Sequence, residues 1–211
     1  MNYLKGGVIL LLAIWQLMAC NRKPDRKEAP PQNDIIQPQL PANSGNPYEP
    51  VDISPMDMSY FPAHYPLRKL AGKMTGPPVM RVIYSRPHLQ GRALFNGVLK
   101  YGEPWRLGAN EATELDVFRP VLLDDKKINP GRYTLYAIPH EKNWIFVLNS
   151  SLDDWGLKQD STKDLQRIAV PVTTGNPRIE YFTMVFKRTD QGADLLVAWD
   201  DQLAKIPFVI K

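Results

Sequence analysis

From Val79 onwards, β-branched and aromatic residues come in short runs broken by proline, glycine, asparagine and aspartate. Residues 79–84 (VMRVIY) stop at Ser85-Arg86-Pro87, where proline holds Arg86 extended and supplies no amide to a ladder. Residues 112–118 alternate, with Leu115 and Val117 on one face and Glu114 and Asp116 on the other, which predicts a half-buried strand. Residues 120–124 are a short strand. Residues 132–138 and 143–149 predict a hairpin across Pro139-His140-Glu141-Lys142. Residues 165–172, 178–187, 193–200 and 204–210 complete the set, separated by turn residues around Gly175 and Gly192. Asn129-Pro130-Gly131 carries type II turn chemistry, and residues 151–155 read as one helical turn ended by Gly156. Strands of this number and spacing, about eight or nine, predict an all-β fold over residues 79–211. The expected form is an antiparallel two-sheet sandwich of jelly-roll or immunoglobulin-like kind, with its connectivity open.

The first fifty residues follow other patterns. Lys5 precedes an apolar run over residues 6–15, and Leu17-Met18-Ala19-Cys20 closes it. The run falls short of the roughly 20 apolar residues of a comfortable membrane span, so residues 1–19 read as a signal peptide. The closing tetrapeptide resembles a bacterial lipobox, which implies that Cys20 becomes an acylated, palmitate-bearing N-terminus anchored in a membrane. Seven of the thirty residues at 21–50 are proline, and only Ile35, Ile36 and Leu40 are large aliphatics, so residues 20–50 predict an unfolded tether. Asn21, with no acidic run after it, fits the outer-membrane side of bacterial lipoproteins, facing the periplasm. Residues 51–78 carry burial-prone Met56, Met58, Tyr60, Phe61 and Tyr65 among prolines that forbid a regular helix or a central strand, and predict an ordered arm across the domain.

Charge narrows the chemistry. The net +4 comes from 26 basic and 22 acidic residues spread along the chain, which is not a nucleic-acid footprint. Cys20 is the only cysteine, so no internal disulfide forms. His64, His88 and His140 lack metal-ligand spacing, the serines lack a G-x-S-x-G setting, and no phosphate loop is present; no metal or cofactor is expected. Trp144, Trp155 and Trp199 sit in or beside apolar runs and are expected in the core.

The densest chemistry lies in residues 84–118. Arg86, Arg92 and Arg106 present planar forks suited to carboxylate, phosphate or sulfate. Trp105 offers a stacking surface, Asn110 both donors and an acceptor, and Glu111 an acceptor. Gly108 lets the backbone bend or be closely approached. These residues predict a polar binding pocket between strands. The competing expectation is an internal network in which Glu111 pairs with Arg86 or Arg106 and fastens a long loop.

The motifs YSRPxxxGRxxF (84–95), YGxxWRxGANEAT (101–113) and PGxYxLYxIP (130–139), followed by Trp144 and Trp155, resemble the bacterial domain of unknown function 2911 family. The matching positions are Tyr84, Ser85, Arg86, Pro87, Gly91, Arg92, Trp105, Arg106, Gly108, Asn110 and Glu111. The resemblance spans residues 79–210 and implies a secreted or lipid-anchored bacterial protein, without supplying a reaction. Three functions stay open at this point. The leading one is a binding module for an anionic small molecule, a glycan or an envelope protein. The others are a hydrolase of envelope glycans using Glu103 or Glu111 as acid/base, and a structural assembly protein of the envelope.

Overall fold

The computed structural model describes residues 52–211. The expected leader, Cys20 and the tether lie outside the described residues.

The fold is all-β and antiparallel. Its strands are β1 (Met56–Phe61), β2 (Met80–Ser85), β3 (Glu114–Val117), β4 (Val121–Leu123), β5 (Lys126–Ile128), β6 (Gly131–Pro139), β7 (Asn143–Asn149), β8 (Asp164–Thr173), β9 (Ile179–Arg188), β10 (Gly192–Asp200) and β11 (Gln202–Val209). They form one eleven-stranded sheet in the order β1-β2-β3-β6-β7-β8-β11-β10-β9, with the β4–β5 hairpin attached to β11. Separate sandwich sheets were expected; the pairing gives one sheet that coils back on itself. The physical reason is β8. Its N-terminal part pairs with β7, and its last residues continue past the corner, where Val172 and Thr173 pair with Ala204 and Leu203 of β11.

Several local expectations change. The arm contributes β1, which stands between Pro55 and Pro62 at one end of the sheet, where proline is tolerated. It also contributes a one-and-a-half-turn helix, α1 (Tyr65–Leu70), whose Pro66 sits in the first turn and removes no internal bond there. The expected type II turn does not form at Gly131, which opens β6 without a left-handed φ. The tight turn lies one hairpin earlier, where Asp124 (φ 51°) and Asp125 (φ 60°) both take the left-handed region and join β4 to β5. Residues 151–155 are not helical; a short 3₁₀ turn, Ser161–Lys163, follows instead, capped by the Asp160 carboxylate. Asp116, expected on the solvent face, is 8% exposed. Its cross-strand neighbour Arg81 covers it, with Nη2 at 2.6 Å and Nε at 2.8 Å.

The core is filled by alternate residues of β9 and β10 (Phe182, Met184, Phe186; Ala193, Leu195, Val197) against β2, β3 and β7. Trp144 and Trp199 are 1% and 0% exposed, as core tryptophans should be, but Trp155 is 50% exposed on the loop after β7.

The two ends of the sheet, β1–β2 and β9, meet along a seam without a strand ladder. Residues of the 84–89 stretch and β1 satisfy the outer edge of β9 instead. The Tyr84 hydroxyl accepts from Met184 N at 2.9 Å and donates to Met184 O at 3.1 Å. Arg86 Nε donates to Phe182 O at 3.1 Å, Phe182 N donates to Pro87 O at 2.9 Å, and Leu89 N donates to Glu180 O at 3.2 Å. Ser59 Oγ accepts from Phe186 N at 3.2 Å. An unpaired strand edge is thereby closed by side chains and loop backbone, so its buried amides keep partners.

Candidate functional site: a basic pocket at one end of the seam

Ser85 ends β2 and fixes the segment that follows β2 in space. Its Oγ accepts from Ala109 N at 2.7 Å and from Asn110 N at 3.1 Å. A Cβ on Gly108 would come within 2.6 Å of that oxygen, so only glycine permits the approach. Trp105 is tied to β6 by reciprocal bonds with Ala137, Trp105 N to Ala137 O at 2.7 Å and Ala137 N to Trp105 O at 2.9 Å. Thr113 closes the loop by donating its hydroxyl to Leu107 O at 2.7 Å. Leu107 itself is fully buried with a left-handed φ of 57°, a conformation that costs a branched side chain energy and persists because these bonds over-determine it.

This loop, the end of β2 and the 88–99 stretch enclose an open pocket of about 290 Å³. Arg92, Trp105 and Arg106 line it together with Gly108 and Ala109. The floor is aromatic: the Trp105 ring stacks on Trp199 at 5.4 Å and meets Trp144 edge-on at 6.0 Å. Arg106 Nη2 donates to Ala109 O, while its Nε is buried and has no partner among the described residues. Burial pulls the Arg106 guanidinium below its ordinary pKa, and no carboxylate offsets that pull. Arg92 is exposed; its Nε donates to Leu89 O at 2.8 Å and its Nη2 to His88 O at 3.0 Å.

The other expected site residues are placed differently. Arg86 belongs to the seam, with Nη1 3.1 Å from the Asp57 carboxylate and Nη2 3.0 Å from Thr183 Oγ1. Asn110 adjoins the pocket but spends its amide on Asp52 and on Ser54 O, holding the arm down. Glu111 is exposed, and no described ion pair includes it. The expected Glu111–Arg86 or Glu111–Arg106 network is therefore absent among the described residues, and the loop is fastened by Ser85, Thr113 and Asn110 instead. Glu103 is exposed and pairs with Lys100 at 3.4 Å. Neither glutamate lines the pocket.

Sequence reasoning missed His88, Gln90 and Trp199 as lining residues. His88 is 8% exposed and stacks on Tyr181 at 5.0 Å. Its Nδ1 lies 3.7 Å from Glu180 Oε1, and its Nε2 lies 3.0 Å from Gln90 Nε2. Adjacency to Pro87 was the available signal, since Pro87 bonds to β9 and so brings the next side chain against the same strand.

A family described as a protein of unknown function (DUF2911) matches residues 66–208, which take in β2 to β11, the 84–89 side of the seam and the pocket apart from Ile53 and Ser54, but not β1. The chain belongs to the DUF2911 family. Within it, the Tyr84-Ser85-Arg86-Pro87 run of this chain is the seam clasp, and the Trp105–Thr113 run is the pocket loop. Searches of the curated proteins and of the solved structures found no significant match.

Proposed function

We propose that this DUF2911 protein is a lipid-anchored protein of the bacterial cell envelope that binds an anionic small molecule in the Arg92–Arg106 pocket. The carrying observation is the Arg106 guanidinium: it is half-buried beside an aromatic floor, and among the described residues its Nε has no partner and no aspartate or glutamate lines the pocket opposite it. A ligand carboxylate or phosphate in the pocket supplies the missing counter-charge. Trp105, half-buried in the pocket wall and backed by the fully buried Trp199, then favours a ligand with an apolar body. Binding is preferred over glycan hydrolysis because, among the described residues, no carboxylate lines the pocket to serve as acid or base.

The test is calorimetry with benzoate, citrate, glucuronate and inorganic phosphate on wild type and Arg106→Gln. At least one of these anions binds the wild type, and Arg106→Gln weakens it about tenfold, as expected for a charge-assisted bond. No binding by any of them, together with a large fall in melting temperature for Arg106→Gln, assigns Arg106 to the fold alone. Anchoring is tested separately: Cys20→Ala moves the protein out of the membrane fraction, and label from palmitate that persists in that variant refutes acylation at Cys20.

A further inference from the structure

At the other end of β1 and β2 lies a second pocket, of about 360 Å³. The ladder runs from Met56↔Ser85, beside the first pocket, to Phe61↔Met80, beside the second. Three arginines line this second pocket: Arg68 from α1, Arg119 from the turn after β3, and Arg188 from the last position of β9. All three are exposed, and none is in a described ion pair. Among the described residues, no aspartate or glutamate lines the pocket. Three separate elements thus bring like charges to one place with no carboxylate among the described residues beside them, Arg188 packing only over the Phe61 ring at 5.6 Å, an arrangement that favours an anion.

The surroundings say what kind of anion. Arg119 also begins a neighbouring groove of about 340 Å³ along Pro120, Val121, Leu122 and Val209, with Lys127 on its rim. Beside Arg68, Leu67 and Leu70 of α1 are 66% and 86% exposed. A free inorganic anion has no use for these apolar surfaces; an amphiphile covers them while its charged group sits among the arginines. We propose that Arg68, Arg119 and Arg188 hold the phosphate of an acidic phospholipid whose acyl chain lies in the groove along Pro120–Leu122 and Val209. This assignment is independent of the first pocket and of acylation at Cys20.

The experiment titrates the full chain with micelle-free dihexanoyl phosphatidic acid, followed by calorimetry, against dihexanoyl phosphatidylcholine and inorganic phosphate. Phosphatidic acid binds, and both controls bind at least about tenfold more weakly. Arg119→Gln weakens phosphatidic acid about tenfold, Arg119→Lys by less, and Arg106→Gln leaves it within about twofold. Added salt weakens the wild-type complex. Because Arg119 and Arg188 are both exposed, Arg188→Gln serves as a second variant, and unchanged melting temperatures show that the fold is intact. Inorganic phosphate binding as tightly as the lipid overturns the amphiphile. Phosphatidylcholine binding equally overturns the charge. Arg119→Gln and Arg188→Gln both within about twofold of wild type overturn the site.

Discussion

Tyr84→Phe tests the seam most directly. The change keeps the ring, so no cavity opens and the edge-on packing against Phe182 at 5.6 Å stays. What disappears is a hydroxyl that serves both the N–H and the C=O of Met184. Tyr84 and Met184 are each 1% exposed, so water does not readily take its place. Each orphaned buried group costs about 1–3 kcal/mol, which puts the loss for the two at roughly 2–6 kcal/mol. For a domain of this size that lowers the melting temperature by about 4–24 °C. Urea titration followed by tryptophan fluorescence gives the free energy, and hydrogen exchange gives the location. The amides of Phe182, Met184 and Phe186 lose protection in the variant, while those of the β6–β7 hairpin keep theirs. A loss under about 0.5 kcal/mol, with exchange at Met184 unchanged, means that the hydroxyl does not bridge the strand, and the seam description fails.

Three further expectations follow from the same contacts. Glu111→Gln, at an exposed position with no described partner, changes stability by less than about 0.5 kcal/mol; a drop of several kcal/mol measured by thermal melting would restore the internal Glu111–arginine network. Gly108→Ala presses its methyl to within 2.6 Å of Ser85 Oγ and costs about 1–3 kcal/mol, and a double-mutant cycle with Ser85→Ala recovers part of that because the obstructing oxygen is gone. Tyr136, with its hydroxyl 3.0 Å from the Asp164 carboxylate, is pushed from 10.0 up to about 12, by burial first and that bond second. Its proton is held more tightly in the folded state, so its contribution is complete below pH 10 and is lost as pH rises to about 12; ultraviolet titration of wild type against Tyr136→Phe reads this directly.

What the sequence disclosed follows the range of each interaction. β2, β3, β4 and β6 to β11 were legible because β-branched runs and alternation act within a few residues of themselves. Gly108 was legible as a point of close approach, although nothing nearby in the chain named Ser85 as the neighbour. β1 was hidden by its flanking prolines and its exposed methionines, since only pairing with β2 makes it a strand. The joining of two faces into one sheet was hidden too, because it rests on the last residues of β8 meeting β11. The arginines were recognised as important, but their partners were not. Arg86 finds Asp57 and the β9 backbone across separations that no local pattern encodes, and Arg81, which the sequence did not single out, finds Asp116 in the same way. Trp155 resembled its core neighbours in composition and differs only in standing on a loop.

The seam also bears on how copies of this chain behave towards one another. β9 contains Tyr181-Phe182-Thr183-Met184-Val185-Phe186, six consecutive residues with no charge and no proline. Such a segment with a free edge is a template for strand addition by a second molecule. Tyr84, Arg86, Pro87 and Ser59 occupy that edge with groups that cannot extend a ladder outward. The clasp therefore leaves no bare ladder on that edge, and a variant with a loosened clasp, such as Tyr84→Phe, is expected to aggregate at lower concentration than wild type, as light scattering would read.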